Sequence, residues 1–121
     1  MATEARETAG LIGSDKVEGT AVYDAKGEKM GSIERVMIGK ISGQVAYAVL
    51  QFGGFLGLGS DYYPLPWDSL TYDTRLGGYR LNITEEQLKG APKYSGESWD
   101  WEDRARGRQV YDYYGATWRD Y

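Results

Sequence analysis

Five acidic side chains in the sequence could together bind a hard cation. Asp61, Asp68 and Asp73, joined by Asp24 or Glu34, would offer the carboxylate oxygens that calcium prefers. Their spacing does not match the loop of an EF-hand, and paired catalytic carboxyl groups would have to be buried and convergent. Acidic residues in turns usually accept local hydrogen bonds from the backbone. We therefore expect solvated turns at these positions and no metal site.

The chain lacks the two side chains that most often carry catalysis and metal binding. It contains no histidine and no cysteine. Imidazole acid–base chemistry, thiol catalysis, disulfides and thiolate-bound zinc are therefore excluded. Only carboxylates, hydroxyl groups and lysines remain as reactive groups. The composition predicts a protein that is not an enzyme and has no resident cofactor.

A glycine-rich loop lies within the stretch QFGGFLGLGSDYYPLPW, residues 51–67. A phosphate cradle would need a helix at the end of the loop or a suitably placed lysine, and this loop leads into an acidic strand instead. Two interpretations stay open. In the one we favour, Phe55 and Leu58 plug one end of a barrel. In the other, the loop is an exposed apolar patch for a partner, formed by Phe55, Leu56, Leu58 and Tyr62.

The end of the same stretch, PLPW at residues 64–67, could be mistaken for a proline-rich ligand motif. Its neighbours are apolar residues of a predicted strand. Proline cannot donate a hydrogen bond to a sheet, so the motif belongs at a sheet edge or a bend. We expect Trp67 to be a core or rim side chain there.

The last part of the chain, residues 94–121, combines aromatic and charged residues. It holds 8 of the 17 aromatic side chains, and its arginines alternate with carboxylates that would neutralise a nucleic-acid surface. Residues 100–114 are predicted to form an amphipathic helix interrupted by Gly107. Four residues would lie roughly along one side: Trp99, Arg106, Val110 and Tyr113. Because disordered segments are usually poor in aromatic residues, we expect this part to pack on its own barrel or on a second subunit.

The elements that position these residues are predicted to be mainly strands. A chain of 121 residues fits one domain, and its 17 glycines and many tyrosines are typical of a small β-rich fold. Apolar runs between turns predict strands at residues 17–23, 30–38, 45–52, 62–67, 71–73 and 79–83. The third is apolar throughout and should be buried on both faces. Thr84 and Gln87 predict a capping box at the start of a short helix.

The net charge of −4 argues against a broad nucleic-acid surface. The opening MATEARETAG lacks the apolar stretch of a signal peptide, and no run approaches the roughly 20 apolar residues of a membrane helix. We expect a soluble, cytoplasmic protein with a flexible arm at residues 1–10 and no integral membrane segment.

Three stretches resemble the PRC-barrel domain: VYDAKGEKMGSIERVMIG, VAYAVLQFGGFLGLGSDYYPLPWDSL and GGYRLNITEEQLKGAP. The family includes the cytoplasmic domain of the photosynthetic reaction-centre H subunit and the C-terminal domain of a ribosome maturation factor. The chain is most similar to free-standing bacterial members over about residues 11–93. The resemblance implies a small antiparallel β-barrel that binds other proteins and has no catalytic residues.

We therefore expect a PRC-like barrel at residues 11–93 with an aromatic extension at residues 94–121. It would act as a non-enzymatic interaction or adaptor module that docks onto a protein partner or forms a homodimer. The candidate partner-binding residues are Phe55, Leu56, Leu58, Tyr62, Trp67, Trp99, Trp101, Tyr111, Tyr114 and Trp118. The alternative is a small-ligand or metal-binding regulatory barrel with a pocket between residues 53–60 and the extension. Peripheral membrane association stays open through the family likeness.

Overall fold

A computed structural model describes residues 7–53, 60–95, 99–119 and 121, with Ser60 described by its backbone alone. The strands are β1 (Ala21–Tyr23), β2 (Lys29–Ile38), β3 (Val45–Gly53), β4 (Ser60–Pro66), β5 (Leu70–Asp73) and β6 (Gly78–Leu81). The helices are α1 (Ser14–Val17), α2 (Glu85–Lys89) and α3 (Arg104–Tyr113), and a 3₁₀ turn covers Trp67–Ser69. The described residues do not include Phe55, Leu56 and Leu58. The structure therefore tests neither interpretation of the glycine loop.

The six strands form one sheet in the order β4-β3-β2-β1-β6-β5. Four of the five pairings are antiparallel, which confirms the mainly β prediction, but β1 and β6 are parallel. The two parallel strands are not joined by a hairpin, and only a short hairpin forces neighbouring strands to run in opposite directions.

The sheet is strongly curled, because its two end strands are neighbours along the chain. Six flat strands would place β4 and β5 about 24 Å apart at ~4.8 Å per strand. Only the turn at Trp67–Ser69 joins them, and such a link reaches at most about 14 Å. The turn packs on the sheet through Trp67. Its ring lies edge-on to the ring of Tyr79 in β6, with 5.4 Å between the centroids. The architecture is a half-barrel.

The concave side of the half-barrel holds the main core. Val22, Ile33, Leu50 and Leu65, one from each of four strands, are at most 1% exposed. Leu88 of α2 closes this core from one end. The predicted capping box that starts α2 is confirmed: the backbone N–H of Gln87 donates to the Thr84 hydroxyl, and that of Thr84 donates to the Gln87 side chain.

The first predicted strand, residues 17–23, was wrong over its first half. Ser14–Val17 forms a helical turn in which the Val17 N–H donates to the Gly13 carbonyl at 3.0 Å. The strand begins only at Ala21, and its buried residue is Val22. The local hydrogen bonds of the turn replace the ladder that an extended Val17 would have needed.

The third and fourth strands lie where the sequence predicts them. In β3, Ala46 to Leu50 are all buried, although both faces of a sheet contribute to that run. The strand with two prolines, β4, is at the end of the strand order, which confirms the predicted edge. Burial of both faces of β3 means that something packs on the convex side of the sheet as well.

We predict that Gly31→Ala destabilises the half-barrel by about 1–3 kcal/mol, the usual range for overpacking. A Cβ atom at Gly31 would lie within van der Waals overlap of the Gln51 carbonyl oxygen and 3.2 Å from the Leu50 side chain. Urea unfolding of the variant measures the loss. Gly10→Ala is the matched control, because a Cβ atom there has no neighbour within 4 Å. Equal stability of the two variants would contradict the prediction.

Candidate functional site

The C-terminal part of the chain packs on the convex face of the sheet. Trp99, Val110 and Tyr111 are at most 7% exposed and contact Ala46 and Tyr47 of β3. These residues form a second apolar core, separated from the first by the sheet. The structure therefore places residues 99–119 and 121 against their own barrel.

The helix of this segment differs from the prediction. It covers Arg104–Tyr113 without interruption at Gly107, and it starts where the Asp103 side chain accepts a hydrogen bond from the Arg106 N–H. Its buried face is made of Gly107, Val110 and Tyr111, whereas Arg106 and Tyr113 are exposed. Gly107 is the contact point, since a Cβ atom there would lie 2.7 Å from the Tyr47 hydroxyl and 2.9 Å from the Trp118 ring.

One buried hydrogen bond fixes the docked helix to the sheet. The Tyr111 hydroxyl is buried and donates to the Ala46 carbonyl of β3 at 2.5 Å. Its oxygen is also 2.9 Å from the Tyr121 hydroxyl, from which it can accept. A buried tyrosine hydroxyl without hydrogen-bond partners destabilises a fold. The two hydrogen bonds of Tyr111 therefore set the position of α3 along the strand.

The aromatic rings of the segment continue into the barrel as one row. Consecutive ring centroids are 5.1–6.1 Å apart, a distance at which aromatic pairs attract. We call the set the aromatic row; in order, it consists of Tyr62, Tyr94, Trp99, Trp101, Tyr47, Tyr111, Trp118 and Tyr121. Tyr94 also pairs with the edge strand β4, because its backbone exchanges two hydrogen bonds with that of Tyr62.

The structure brings together five of the candidate residues predicted from sequence: Tyr62, Trp99, Trp101, Tyr111 and Trp118. Tyr114 contacts both cores, and its hydroxyl is buried without a hydrogen-bond partner among the described residues. Trp67 lies elsewhere, at the turn between β4 and β5.

Sequence reasoning missed several residues of this face. Tyr47, Tyr94 and Tyr121 belong to the aromatic row, and Ile38 and Ile41 lie beside it. Tyr47 lies in an apolar strand, so its sequence context predicts only a buried core side chain. The only available signal for Ile41 was an apolar residue inside a polar turn.

A groove lies between the β2–β3 turn and the end of the chain. We call it the hairpin groove; its volume is about 400 Å³. Ile38 and Ile41 line it on the hairpin side, and Trp101 and Trp118 line it on the side of the C-terminal segment, with the buried Tyr47 between them. Ile38 is 51% exposed and Ile41 is 101% exposed, so two large apolar side chains project into solvent beside partly exposed aromatic rings.

Both walls of the hairpin groove are held in place. The turn between β2 and β3 is closed by hydrogen bonds from the Gly39 N–H to the Gln44 carbonyl and from the Gly43 N–H to the Gly39 carbonyl, both at 2.9 Å. The opposite wall rests on the second core, and the turn contacts Tyr121 at Gly39. A surface whose walls are already ordered loses little entropy when it binds.

The acidic residues considered for metal binding do not converge. Asp24 is buried and accepts hydrogen bonds from the N–H groups of Lys26 and Glu28. The other four form separate ion pairs: Glu34 with Arg35, Asp61 with Lys93, Asp68 with Arg119, and Asp73 with Arg80. Within the described ranges, no three His, Cys, Asp or Glu side chains come close enough to share a metal ion.

A second groove, of about 470 Å³, lies between α3 and the segment around Lys93. The Arg106 guanidinium stacks on the Trp99 ring at 4.9 Å, and the Lys93 ammonium is 3.0 Å from Asp61. Both cations of this groove are thus already engaged within the protein.

Fold and surface together define a small curled β domain that carries a docked aromatic segment. A family model of the PRC-barrel domain matches residues 10–88, about two-thirds of the chain. The chain belongs to the PRC-barrel family, which confirms the resemblance seen in its sequence. The comparison with curated proteins finds no match. Among the described helices, none has the length and apolar character needed to cross a membrane.

The match ends at residue 88, so it does not include α3 or Tyr94. One wall of the hairpin groove, with Ile38 and Ile41, comes from the family domain, and the other, with Trp101 and Trp118, comes from the C-terminal segment. The groove therefore exists only while the segment is docked.

We predict that Gly107→Leu releases the C-terminal segment. Leucine is a good helix former, but its side chain would collide with Tyr47 and Trp118 and cost about 1–3 kcal/mol. Near-ultraviolet circular dichroism and limited proteolysis measure the release. Ala105→Leu is the control, because Ala105 is exposed on the same helix. Identical spectra and cleavage for the two variants would show that close approach at Gly107 is not required.

We further predict that alkaline pH destabilises the docked state. Burial raises the pKa of Tyr47 to about 12, and burial also raises the pKa values of Tyr111 and Tyr114. The folded protein therefore keeps these protons to higher pH than the unfolded chain, whose tyrosines ionise near pH 10. The stabilisation that comes from these buried protons is fully present below about pH 10 and is lost as the pH rises toward 12. Each tyrosine contributes about 1.4 kcal/mol for each unit by which its folded pKa exceeds its unfolded pKa.

Urea unfolding at several alkaline pH values, followed with tyrosinate absorbance, measures this loss. Tyr47→Phe removes one of the buried titrating groups and should flatten the pH dependence relative to the wild type. A variant with the same slope as the wild type would contradict the assignment of the effect to the second core.

Proposed function

We propose that this chain is a non-enzymatic protein-interaction module, and that the hairpin groove is its docking surface. The observation that carries the proposal is the exposure of Ile38 and Ile41 beside a groove lined by aromatic rings. Exposed apolar side chains rimmed by polar residues commonly mark a site of interaction.

The composition of the groove supports protein recognition. Trp, Tyr, Met and Arg are enriched at the centres of protein interfaces, and the groove contains Trp101, Trp118, Tyr121, Met37 and Arg104. Full burial of one isoleucine side chain is worth about 1.5–3 kcal/mol. Ile41 alone could therefore supply the contribution of a typical interface hot spot.

The described residues give less support to an enzyme or to a barrel that binds a metal or a small ligand. All five of the acidic residues considered for catalysis or metal binding have local partners, and no three of them cluster among the described residues. In the second groove, Lys93 and Arg106 are likewise engaged within the protein. A small anionic ligand would have to displace those contacts.

We predict that Ile41→Asp weakens specific binding to a protein partner. The charge would have to be desolvated in the apolar groove, which should weaken binding by at least about tenfold, or 1.4 kcal/mol. The measurement is affinity capture from the native cell, with retained proteins quantified for the wild type and the variant. Leu11→Asp is the matched control, since Leu11 is 76% exposed but does not line the groove. Retention of the same proteins by both variants would refute the proposed docking surface.

A further inference from the structure

We propose that the partner of the hairpin groove is a second copy of this chain, held in a two-fold symmetric dimer. This inference rests on the proposed function and names its partner. It follows from the position of a projecting side chain beside a recess, and from the charges on the two sides of that recess.

The projection and the recess lie on the same face of the molecule. Ile41 projects fully from the β2–β3 turn, and the adjoining groove is large enough to accept an isoleucine side chain. A face that carries both features can complement itself about a two-fold axis. Rotation by half a turn places Ile41 of each copy over the Trp101 and Trp118 rings of the other, so both projecting side chains are buried at once.

The charges at the groove favour the same arrangement. Lys40 lies on the hairpin side, whereas Glu102 and Arg104 lie on the side of the C-terminal segment. Among the described residues, the ion pairs involve none of these three side chains. The two-fold axis brings the hairpin of one copy against the C-terminal segment of the other. Lys40 then faces Glu102 of the second copy, twice in the dimer.

Arg104 also takes part in the proposed dimer contact. Its acceptors there are backbone carbonyls, so it does not need an acidic side chain opposite it. It is exposed at the first residue of α3, next to the turn of the opposing copy in this arrangement. Its guanidinium can donate to backbone carbonyls of that turn. A foreign partner would need an apolar projection, a basic group and an acidic group in the same pattern, which this chain already presents.

The first test is sedimentation of the full chain over a wide range of concentrations. The wild type should pass from monomer to dimer as the concentration rises. Ile41→Asp should raise the dissociation constant at least tenfold, and Leu11→Asp should leave it unchanged. Because Ile41 is fully exposed, its replacement leaves both cores intact, which circular dichroism verifies. A wild type that is monomeric at every concentration, or an equal effect of both variants, overturns the inference.

The second test is a charge exchange between copies. Lys40→Glu and Glu102→Lys should each weaken self-association about three- to tenfold, because each variant places like charges opposite one another. An equimolar mixture of the two variants restores both pairs in the heterodimer, so it should associate as tightly as the wild type. A mixture that associates no more tightly than either variant alone overturns the proposed register.

The outcomes separate this inference from the proposed function. Capture of a different protein that depends on Ile41, together with a monomeric wild type, overturns the dimer and keeps the docking surface. Failure of Ile41→Asp to change either capture or self-association overturns both.

Discussion

The burial of β3 on both of its faces is the constraint on which the structure depends. The concave face of this strand contributes Ala48 and Leu50 to the main core. Its other buried residues include Ala46 and Tyr47, which would meet water if the C-terminal segment were absent. The hydrophobic effect therefore requires a cover on the convex side, and α3 provides it. The hydrogen bond from Tyr111 to the Ala46 carbonyl gives that cover one defined position.

The same C-terminal segment also covers part of the open edge of the half-barrel. A half-barrel leaves its end strands unpaired on one side, and unpaired edges invite aggregation. At β4, part of that edge is occupied by Tyr94, which exchanges two backbone hydrogen bonds with Tyr62. Two prolines in β4 remove further donors from the strand. The entry of the C-terminal segment thus protects the edge before the segment crosses to the convex face.

The hairpin groove is a consequence of this cover. Arg104 of α3, Trp118 and Tyr121 lie beside the β2–β3 turn, so the turn and the C-terminal segment face each other across Tyr47. Ile38 and Ile41 are left outside both cores, although their size and apolar character would normally favour burial. Their apolar surface stays in water in the monomer, so a partner that covers it gains the free energy of apolar burial. This gain is the physical basis of the proposed interaction.

Local patterns in the sequence determined the strands except for the start of the first. They also determined the capping box at Thr84 and Gln87, the edge position of β4 and membership of the PRC-barrel family. These features depend on residues that are close along the chain. Contacts between distant residues, such as Tyr111 with Ala46 and Tyr94 with Tyr62, arise only when the sheet curls and the C-terminal segment docks. For that reason Gly107 looked like a helix break in the sequence and proved to be a point of close approach between α3, Tyr47 and Trp118 in the fold. The parallel pairing of β1 with β6 and the groove beside Ile41 were likewise decided by tertiary structure, because no periodicity within a single element encodes which elements become neighbours.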